Sequence, residues 1–307
     1  MAPSVHLDLP DDVTAPVVVG CSGGADSLAL LVLAVDAGLE PIAVYVDHGI
    51  RDAGDREADV VADAASRLGA GFDVRRVAVS RGANLEARAR VARYDALERA
   101  RVAHGATTAL VAHTADDQAE TVLLNLLRGS GTRGLAGMPA RRGHIVRPLL
   151  EQRRADVRDI CVRRALVPVE DPSNEDLAFR RNRIRHEVLP LLERVAGRDL
   201  TPVLVRQADV LRSEADFLDG LARAAWPGEA GARALDLAAL PRALARRAVR
   251  CWLGAPPPSL DEVDEVLVVA RGERRAVDLA GGRRVRRSAG LMHAESHDRG
   301  NGGLADR

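Results

Sequence analysis

The chain has 307 residues, with 44 basic and 44 acidic side chains, 47% hydrophobic residues and only 2% aromatic ones. This length suits two domains rather than one. All the basic residues are arginine, which excludes a Walker A phosphate loop and Schiff-base chemistry, because both need a lysine. The apolar run 29–35 is far shorter than the roughly 20 residues that cross a bilayer, and residues 1–10 lack the pattern of a signal peptide. We therefore expect a cytoplasmic protein.

Short β-branched runs alternate with longer helical patterns in the first half of the chain. This alternation is typical of an α/β fold with a doubly wound, mostly parallel sheet that has helices on both faces. The predicted strands are 17–20, 42–46, 73–77, 109–112 and 145–146. The predicted helices are 27–37, 53–68, 85–104, 116–128 and 151–165, with a glycine-rich loop at 129–137. Ligands of such sheets bind at the carboxyl ends of the strands, where the candidate site residues must be sought.

The second half of the chain predicts a smaller, mainly helical domain. A connecting helix is predicted at 187–194. The helices of the second domain are predicted at 202–225, 240–253 and 259–270, followed by a hairpin over 276–292. We place the domains at 1–195 and 196–292, and we expect the polar, glycine-containing tail 293–307 to be disordered.

Arginines cluster at 180–185 and again at 271–287. The second segment contains seven arginines and two acidic residues. Such patches are expected of a protein that binds a phosphate backbone. A solvated surface in a protein without lysine explains them equally well, and both interpretations stay open.

The three cysteines, Cys21, Cys161 and Cys251, are widely spaced and odd in number. They predict neither a disulfide framework nor a C-x-x-C metal pair. We expect buried structural thiols.

The segment Ser22–Ser27, with the sequence SGGADS, follows the first predicted strand and leads into a helix. Gly23 and Gly24 permit a close backbone approach, so that successive N–H groups and the helix N-terminus can bind a phosphate. The serine hydroxyls can donate to the same anion, and Asp26 can hold a Mg²⁺ that bridges phosphates. An ordinary capped turn between strand and helix would use the same residue types, so the residues alone leave both interpretations open.

This loop resembles the PP-loop of ATP pyrophosphatases, whose pattern is S-G-G-x-D-S. The resemblance implies a Rossmann-like PP-loop fold, binding of ATP and Mg²⁺, and cleavage of ATP to AMP and pyrophosphate while an acceptor is adenylated. The implied metal ligand is Asp26, which is also an implied catalytic residue. The implied ATP-binding residues are Ser22, Gly23, Gly24, Ala25, Asp26 and Ser27.

Longer motifs between about Val17 and Leu192 resemble the tRNA(Ile)-lysidine synthetases. They are VDHGIR at 46–51, NLEAR at 84–88 with RY at 93–94, AHTADDQAETVLLNLLRGSGTRGLAGM at 112–138, EDPSN at 170–174 and RNRIR at 181–185. The family often has a second histidine where this chain has Thr114, so no role is carried over to that position.

Asp117 and Glu120 lie three residues apart at the start of a predicted helix, so their carboxylates face the same way and could hold an ammonium group. They could also do no more than complement the helix dipole. The resemblance implies that they bind lysine, with Asp117 also taking part in catalysis.

Arginines and histidines supply the other candidate residues. The resemblance favours Arg93 as a catalytic residue at ATP or the adenylate, and it favours Arg128 less strongly. It assigns tRNA contact or closure of the active site to Arg181, Arg183 and Arg185. His48 and His113 end predicted strands, where a ligand contact and a structural role are equally compatible with the sequence.

The family chemistry joins free lysine to C2 of the cytidine at the first anticodon position of tRNA(Ile) with a CAU anticodon. The base is first adenylated by ATP, and the product, lysidine, changes codon reading from AUG to AUA. The resemblance allows a homodimer and implies no membrane.

Three alternative functions stay open. A PP-loop thiolase would use paired cysteines or an iron–sulfur cluster, and an amidotransferase would need an ammonia-producing domain. The third alternative is a non-catalytic ATP- or tRNA-binding module.

Overall fold

A computed structural model describes residues 5–49, 54–78, 82, 85–228 and 232–296. The motif residues Ile50, Arg51 and Asn84 lie outside the described residues, as does the end of the predicted tail, 297–307. The chain divides into two compact units, Met1–Leu211 and Arg212–Arg307. In the described part of the chain, no helix is long and apolar enough to cross a membrane.

A six-stranded sheet forms the centre of the first unit, in the order β3-β2-β1-β4-β6-β5. All its neighbouring strands are parallel except β5, which pairs antiparallel with β6 at the edge. The strands are β1 Val17–Gly20, β2 Pro41–Asp47, β3 Gly71–Arg76, β4 Thr108–Leu110, β5 Arg141–Arg142 and β6 Ile145–Val146. The strand order reverses between β1 and β4, so the loops that follow these two strands border the crevice where such sheets bind ligands.

Successive residues of β1 point into two different layers, as the period of a strand requires. Val17 and Val19 join one core with the helices α1 (Ala25–Asp36), α2 (Gly54–Leu68) and α6 (Arg154–Arg163). Val18 joins a second core against α3 (Leu85–Ala103). Both faces of β1 are therefore buried, which explains its uninterrupted run of valines.

The glycine-rich loop after α4 (Ala115–Leu127) is docked on that helix and contains a short helix, α5 (Thr132–Leu135). The buried amide of Gln118 accepts from the N–H of Met138 at 2.7 Å and donates to its carbonyl at 2.9 Å. The amide of Asn125 donates to the carbonyl of Gly134 at 2.7 Å. Gly137 has φ +64°, and a Cβ there would lie 2.6 Å from Oε1 of Gln118, so this turn requires glycine.

The rest of the first unit is helical. A 3₁₀ turn at Pro172–Glu175 precedes α7 (Arg180–Arg183), a π-helical turn (Ile184–Val188) and α8 (Leu189–Ala196). Leu123 of α4 packs against Ile184 and Leu189 in a small core of their own. The region 180–188 is thereby fixed against α4.

The second unit has its own core of helices and a three-stranded antiparallel sheet. Its elements are the end of α9 (Thr201–Ala225), α10 (Ala234–Ala239), α11 (Arg242–Leu253), α12 (Leu260–Arg271), β7 (Ala276–Leu279), β8 (Arg283–Ser288) and β9 (Leu291–Ser296). Trp226 and Trp252 meet edge to face, with ring centroids 5.2 Å apart. The arginines of β8 have partners within the unit: Arg284 pairs with Asp278 and Arg286 with Glu295.

The structure confirms the predicted fold class and the hairpin, and it corrects three boundaries. The contacts divide the chain within α9 and not after residue 195. The prediction of disorder from residue 293 is wrong for 293–296, because these residues pair with β8 as part of β9. The helix predicted at 187–194 is the last part of a helical region that starts at Arg180.

Leu30 of α1 has no exposed surface, whereas Leu127 at the end of α4 is 71% exposed. We expect Leu30→Ala to lower the free energy of unfolding by about 2–5 kcal/mol through lost burial and a residual cavity. The matched change Leu127→Ala is expected to cost less than about 0.5 kcal/mol. Urea unfolding followed by circular dichroism measures both values, and equal losses would contradict the core placement of α1.

Candidate active site

The loop Ser22–Ser27 makes a tight turn between β1 and α1. Gly23 has φ +80°, and a Cβ there would lie 3.3 Å from Cγ2 of Val169. The hydroxyl of Ser27 donates to the carbonyl of Gly24 at 2.8 Å and accepts from the N–H of Ser22 at 3.2 Å. The loop is thus braced internally, and its last three residues form the first turn of a twelve-residue helix. Both features suit a phosphate.

Asp26 lies in the first turn of α1, and Arg154 is its nearest cationic partner, with Nε at 3.3 Å from Oδ2. Its other oxygen, Oδ1, is buried and accepts no hydrogen bond from the described residues, although Nε of Arg158 lies 3.8 Å from it. Burial raises the pKa of Asp26, and the carboxylate of Asp117 adds to this effect, while Arg154 and Arg158 oppose it. A buried carboxylate oxygen that lacks a donor is suited to bind a cation.

Thr114 and Asp117 form a capping box at the start of α4. Oδ2 of Asp117 accepts from the N–H of Thr114 at 2.9 Å and from its hydroxyl at 3.0 Å. This leaves Oδ1 for Arg154, at 2.6 Å, and Arg181, at 3.0 Å. Burial alone would raise the pKa of Asp117, but the charges of Arg154 and Arg181 outweigh it and hold that pKa well below its ordinary value.

Glu120 is only 1% exposed, and three arginines contact its carboxylate. Nε of Arg181 lies 2.6 Å from Oε2, Nε of Arg185 lies 2.7 Å from Oε1, and Nη1 of Arg154 lies 3.3 Å from Oε1. Arg154 and Arg181 contact both Asp117 and Glu120, which confirms that the two carboxylates face the same way. We call these two carboxylates with Asp26, Arg154, Arg181 and Arg185 the charge cluster.

Arg154 is the cluster member that the sequence did not reveal, and it alone contacts all three carboxylates. It begins α6, and its backbone N–H donates to Oδ2 of Asp116 at 2.8 Å. Asp116 of α4 therefore holds the start of α6 where the guanidinium reaches the loop and the acidic pair together.

Among the described residues, the other predicted arginines make no ion pair with the carboxylates of the charge cluster, whereas His113 lies beside one of them. Arg183 is exposed and pairs with Glu187. Arg93 is exposed on α3, and its charge adds to the burial that lowers the pKa of His48. Arg128 is exposed beyond α4. His113 lies beside Asp117, and burial lowers its pKa, so the imidazole is neutral at pH 7.

Comparison with known proteins assigns a family to this site. The PP-loop domain family matches residues 6–192. A tRNA(Ile)-lysidine synthase from Thermobifida fusca is 44% identical over 90% of this chain and 90% of its own length. The enzyme of that name from Streptomyces coelicolor is 42% identical over 91% of this chain and 85% of its own length. This chain belongs to the tRNA(Ile)-lysidine synthase family.

A solved structure supports the fold of the PP-loop unit. The U34-tRNA thiolase NcsA from Methanococcus maripaludis, determined with its [4Fe-4S] cluster, superposes with a TM-score of 0.54 at 20% identity. The match covers 66% of this chain and 74% of that one. At this identity the likeness concerns the fold alone, so this chain shares an architecture with a thiolase.

The cysteines near the loop do not suit thiolation. Sγ of Cys161 donates to the carbonyl of Ala25 at 3.3 Å, and Sγ of Cys21 lies 3.8 Å from the carbonyl of Ser27. Burial raises the pKa of Cys21 to about 12 and that of Cys161 to about 11. Thiols that stay protonated are poor nucleophiles, which favours the structural role that the sequence predicts.

The capping box of α4 offers a test of how Asp117 is oriented, because Ser259 and Glu262 form the same motif at α12 in the second unit. Thr114→Val and Ser259→Ala are each expected to lower the free energy of unfolding by about 1 kcal/mol. Only Thr114→Val is expected to raise the pKa of Asp117, because it removes a hydrogen bond to the charged form. Denaturation and NMR titration of the carboxyl group measure the two effects. An unchanged pKa of Asp117 in Thr114→Val would show that the hydroxyl does not stabilise the charged form, which would then depend on the backbone N–H of residue 114 and on Arg154 and Arg181.

Proposed function

We propose that this protein ligates lysine to C2 of the cytidine at the first anticodon position of tRNA(Ile) with a CAU anticodon, giving lysidine and changing codon reading from AUG to AUA. The observation that carries the proposal is Arg154, which connects Asp26 of the phosphate loop to the acidic pair Asp117 and Glu120. An adenylating site and an ammonium site are thereby adjacent, as a two-step ligation requires. A cytoplasmic location is part of the proposal, since the substrate is a tRNA.

The loop Ser22–Ser27 is proposed to bind ATP through its backbone N–H groups, the serine hydroxyls and the N-terminus of α1. Asp26 fits a Mg²⁺ bound jointly with the phosphates, because its Oδ1 is buried without a donor. Among the described residues no group of three His, Cys, Asp or Glu side chains could hold a metal ion, so the protein would supply few ligands and the phosphates the others. When bound, the ion offsets the charge that develops on the phosphates.

The acidic pair is proposed to bind an ammonium group of lysine, yet arginines already neutralise both of its carboxylates. Arg154, Arg181 and Arg185 all contact Asp117 and Glu120, so an ammonium group reaches these two carboxylates only when a guanidinium withdraws. Arg181 and Arg185 belong to α7 and the π-helical turn, which are short elements. We therefore assign them to closure of the site on the substrates, and we assign the exposed Arg183 to tRNA contact.

The attack by the lysine amine requires a proton acceptor, and the pKa of each candidate residue decides how well it can serve as one. The reacting amine has an unperturbed pKa of about 10.4 and must lose a proton before it attacks. Asp117, with its lowered pKa, is a weak base and suits the binding of ammonium. His113 is neutral beside it, but burial lowers its pKa to about 3, so the imidazole is also a weak base and is not assigned the proton. Arg93 is assigned to the adenylate, and the homodimer stays a prediction.

The loop Ser22–Ser27 is assigned to adenylation and the acidic pair to lysine binding, so variants of the two are expected to affect different half-reactions. Asp26→Asn is expected to abolish tRNA-dependent pyrophosphate release, because the cation loses its protein ligand. Asp117→Asn is expected to leave adenylation intact and to raise the lysine concentration needed for product about tenfold to a hundredfold, as for one lost charge-assisted hydrogen bond. Asp159→Asn, an exposed change on α6, is the control and is expected to alter neither signal.

Pyrophosphate release and incorporation of labelled lysine into unmodified tRNA(Ile) are measured side by side for these variants. Equal loss of both signals in Asp117→Asn would mean that Asp117 serves the loop and not lysine. Pyrophosphate release without incorporation of lysine in the unaltered protein would refute the proposed function.

A further inference from the structure

Arg147 is a buried guanidinium without an anionic partner. It follows β6 directly and is 4% exposed. Its Nη1 donates to the carbonyl of Pro139 at 2.9 Å and its Nη2 to the hydroxyl of Tyr94 at 3.4 Å, while its buried Nε has no hydrogen-bond partner. In the part of the chain that the structure describes, no carboxylate pairs with it. A buried charge is costly unless it is paired.

A second arginine lies on the same tyrosine. The guanidinium carbon of Arg90 is 5.2 Å from the centroid of the Tyr94 ring, one helical turn away on α3. Partial burial of the guanidinium lowers the pKa of Arg90, although the residue as a whole is exposed, and the positive charges of Arg147, Arg181 and Arg93 add to that effect. Across the described ranges Arg90, like Arg147, makes no ion pair. Two mutually repelling guanidiniums are thus held together by Tyr94.

The charge cluster cannot neutralise this pair, because its three carboxylates already face three arginines. Asp117 and Arg147 are both electrostatic neighbours of His113, so the two groups of charges are close to each other. The buried Nδ1 of His113 also lacks a partner. The excess positive charge therefore borders the acidic pair, and the missing component is an anion.

We propose that Arg90 and Arg147, connected by Tyr94, form a phosphate-binding subsite separate from the loop Ser22–Ser27. A planar carboxylate is satisfied by the fork of one guanidinium, whereas a tetrahedral phosphate accepts hydrogen bonds from several directions. The phosphate belongs either to the AMP part of the adenylate or to the polynucleotide backbone beside the target base. The proposal rests on the proposed function for these two sources, but phosphate binding is measured without turnover.

The test uses Arg90→Gln and Arg147→Gln in the full chain. Arg90 is exposed, so its variant is expected to fold even if the buried Arg147→Gln does not. Arg99→Gln is the matched control: Arg99 is exposed on α3, about two and a half turns beyond Arg90 and therefore on the opposite face of the helix. Circular dichroism checks the fold of each variant.

Dissociation constants are measured for AMP, for an RNA stem-loop with a CAU anticodon, and for lysine, at several salt concentrations. If AMP supplies the phosphate, Arg90→Gln weakens AMP binding about tenfold to a hundredfold. If the RNA backbone supplies it, Arg90→Gln reduces the salt slope of RNA binding by about 0.7–0.9. Either result supports the subsite, provided that Arg99→Gln changes neither quantity.

The proposal is overturned if folded Arg90→Gln binds AMP and RNA as the unaltered protein does. It is also overturned if only lysine binding weakens, since the pair would then bind the carboxylate of the amino acid. If the unaltered protein forms no lysidine while Arg90→Gln shows either phosphate effect, the proposed function is refuted and the subsite stands.

Discussion

The burial of Asp26, Asp117 and Glu120 close to one another is the constraint on which the site depends. Burial and the repulsion between neighbouring negative charges both favour the protonated form of a carboxyl group. The three carboxylates therefore stay ionised only where cations contact them. Those cations come from a different part of the chain: Arg154 starts α6, and Arg181 and Arg185 belong to the helical region 180–188. The fold of the first unit therefore sets the ionisation of the site, because it brings these segments against α1 and α4.

The three carboxylates of the charge cluster differ in pKa and in the contacts of their oxygens, and these differences suit different roles in the proposed reaction. Asp117 has a lowered pKa and both oxygens occupied, so it is held as a carboxylate in one orientation. Asp26 has a raised pKa, and one of its oxygens accepts no hydrogen bond from the described residues, so this oxygen is available to bind a cation. Glu120 is almost fully buried and contacts the arginines of α7 and the π-helical turn. Lysine binding would then couple to the position of that region, since a guanidinium must leave as the ammonium enters.

The features that sequence reasoning predicted are local patterns. The loop Ser22–Ser27 follows a run of valines and precedes a helix, and Asp117 and Glu120 share a helix face because they are three residues apart. Arg154 and Arg147 were not predicted, because their contacts join segments that are distant in the sequence. The chain has 44 arginines, and the residues next to these two do not indicate that they are buried. The capping role of Thr114 was visible in principle, as a threonine three residues before an aspartate at a helix start. The pairing of β9 was not, since its polar residues alternate with few apolar ones.

The exchange of a guanidinium for the ammonium of lysine is the central claim, and a crystal structure with lysine and a non-hydrolysable ATP analogue tests it most directly. The account predicts an amine nitrogen within about 3 Å of Asp117 or Glu120, and at least one of Arg154, Arg181 and Arg185 moved out of hydrogen-bond distance of the pair. Lysine bound elsewhere, with every contact between these arginines and the two carboxylates retained, would contradict it.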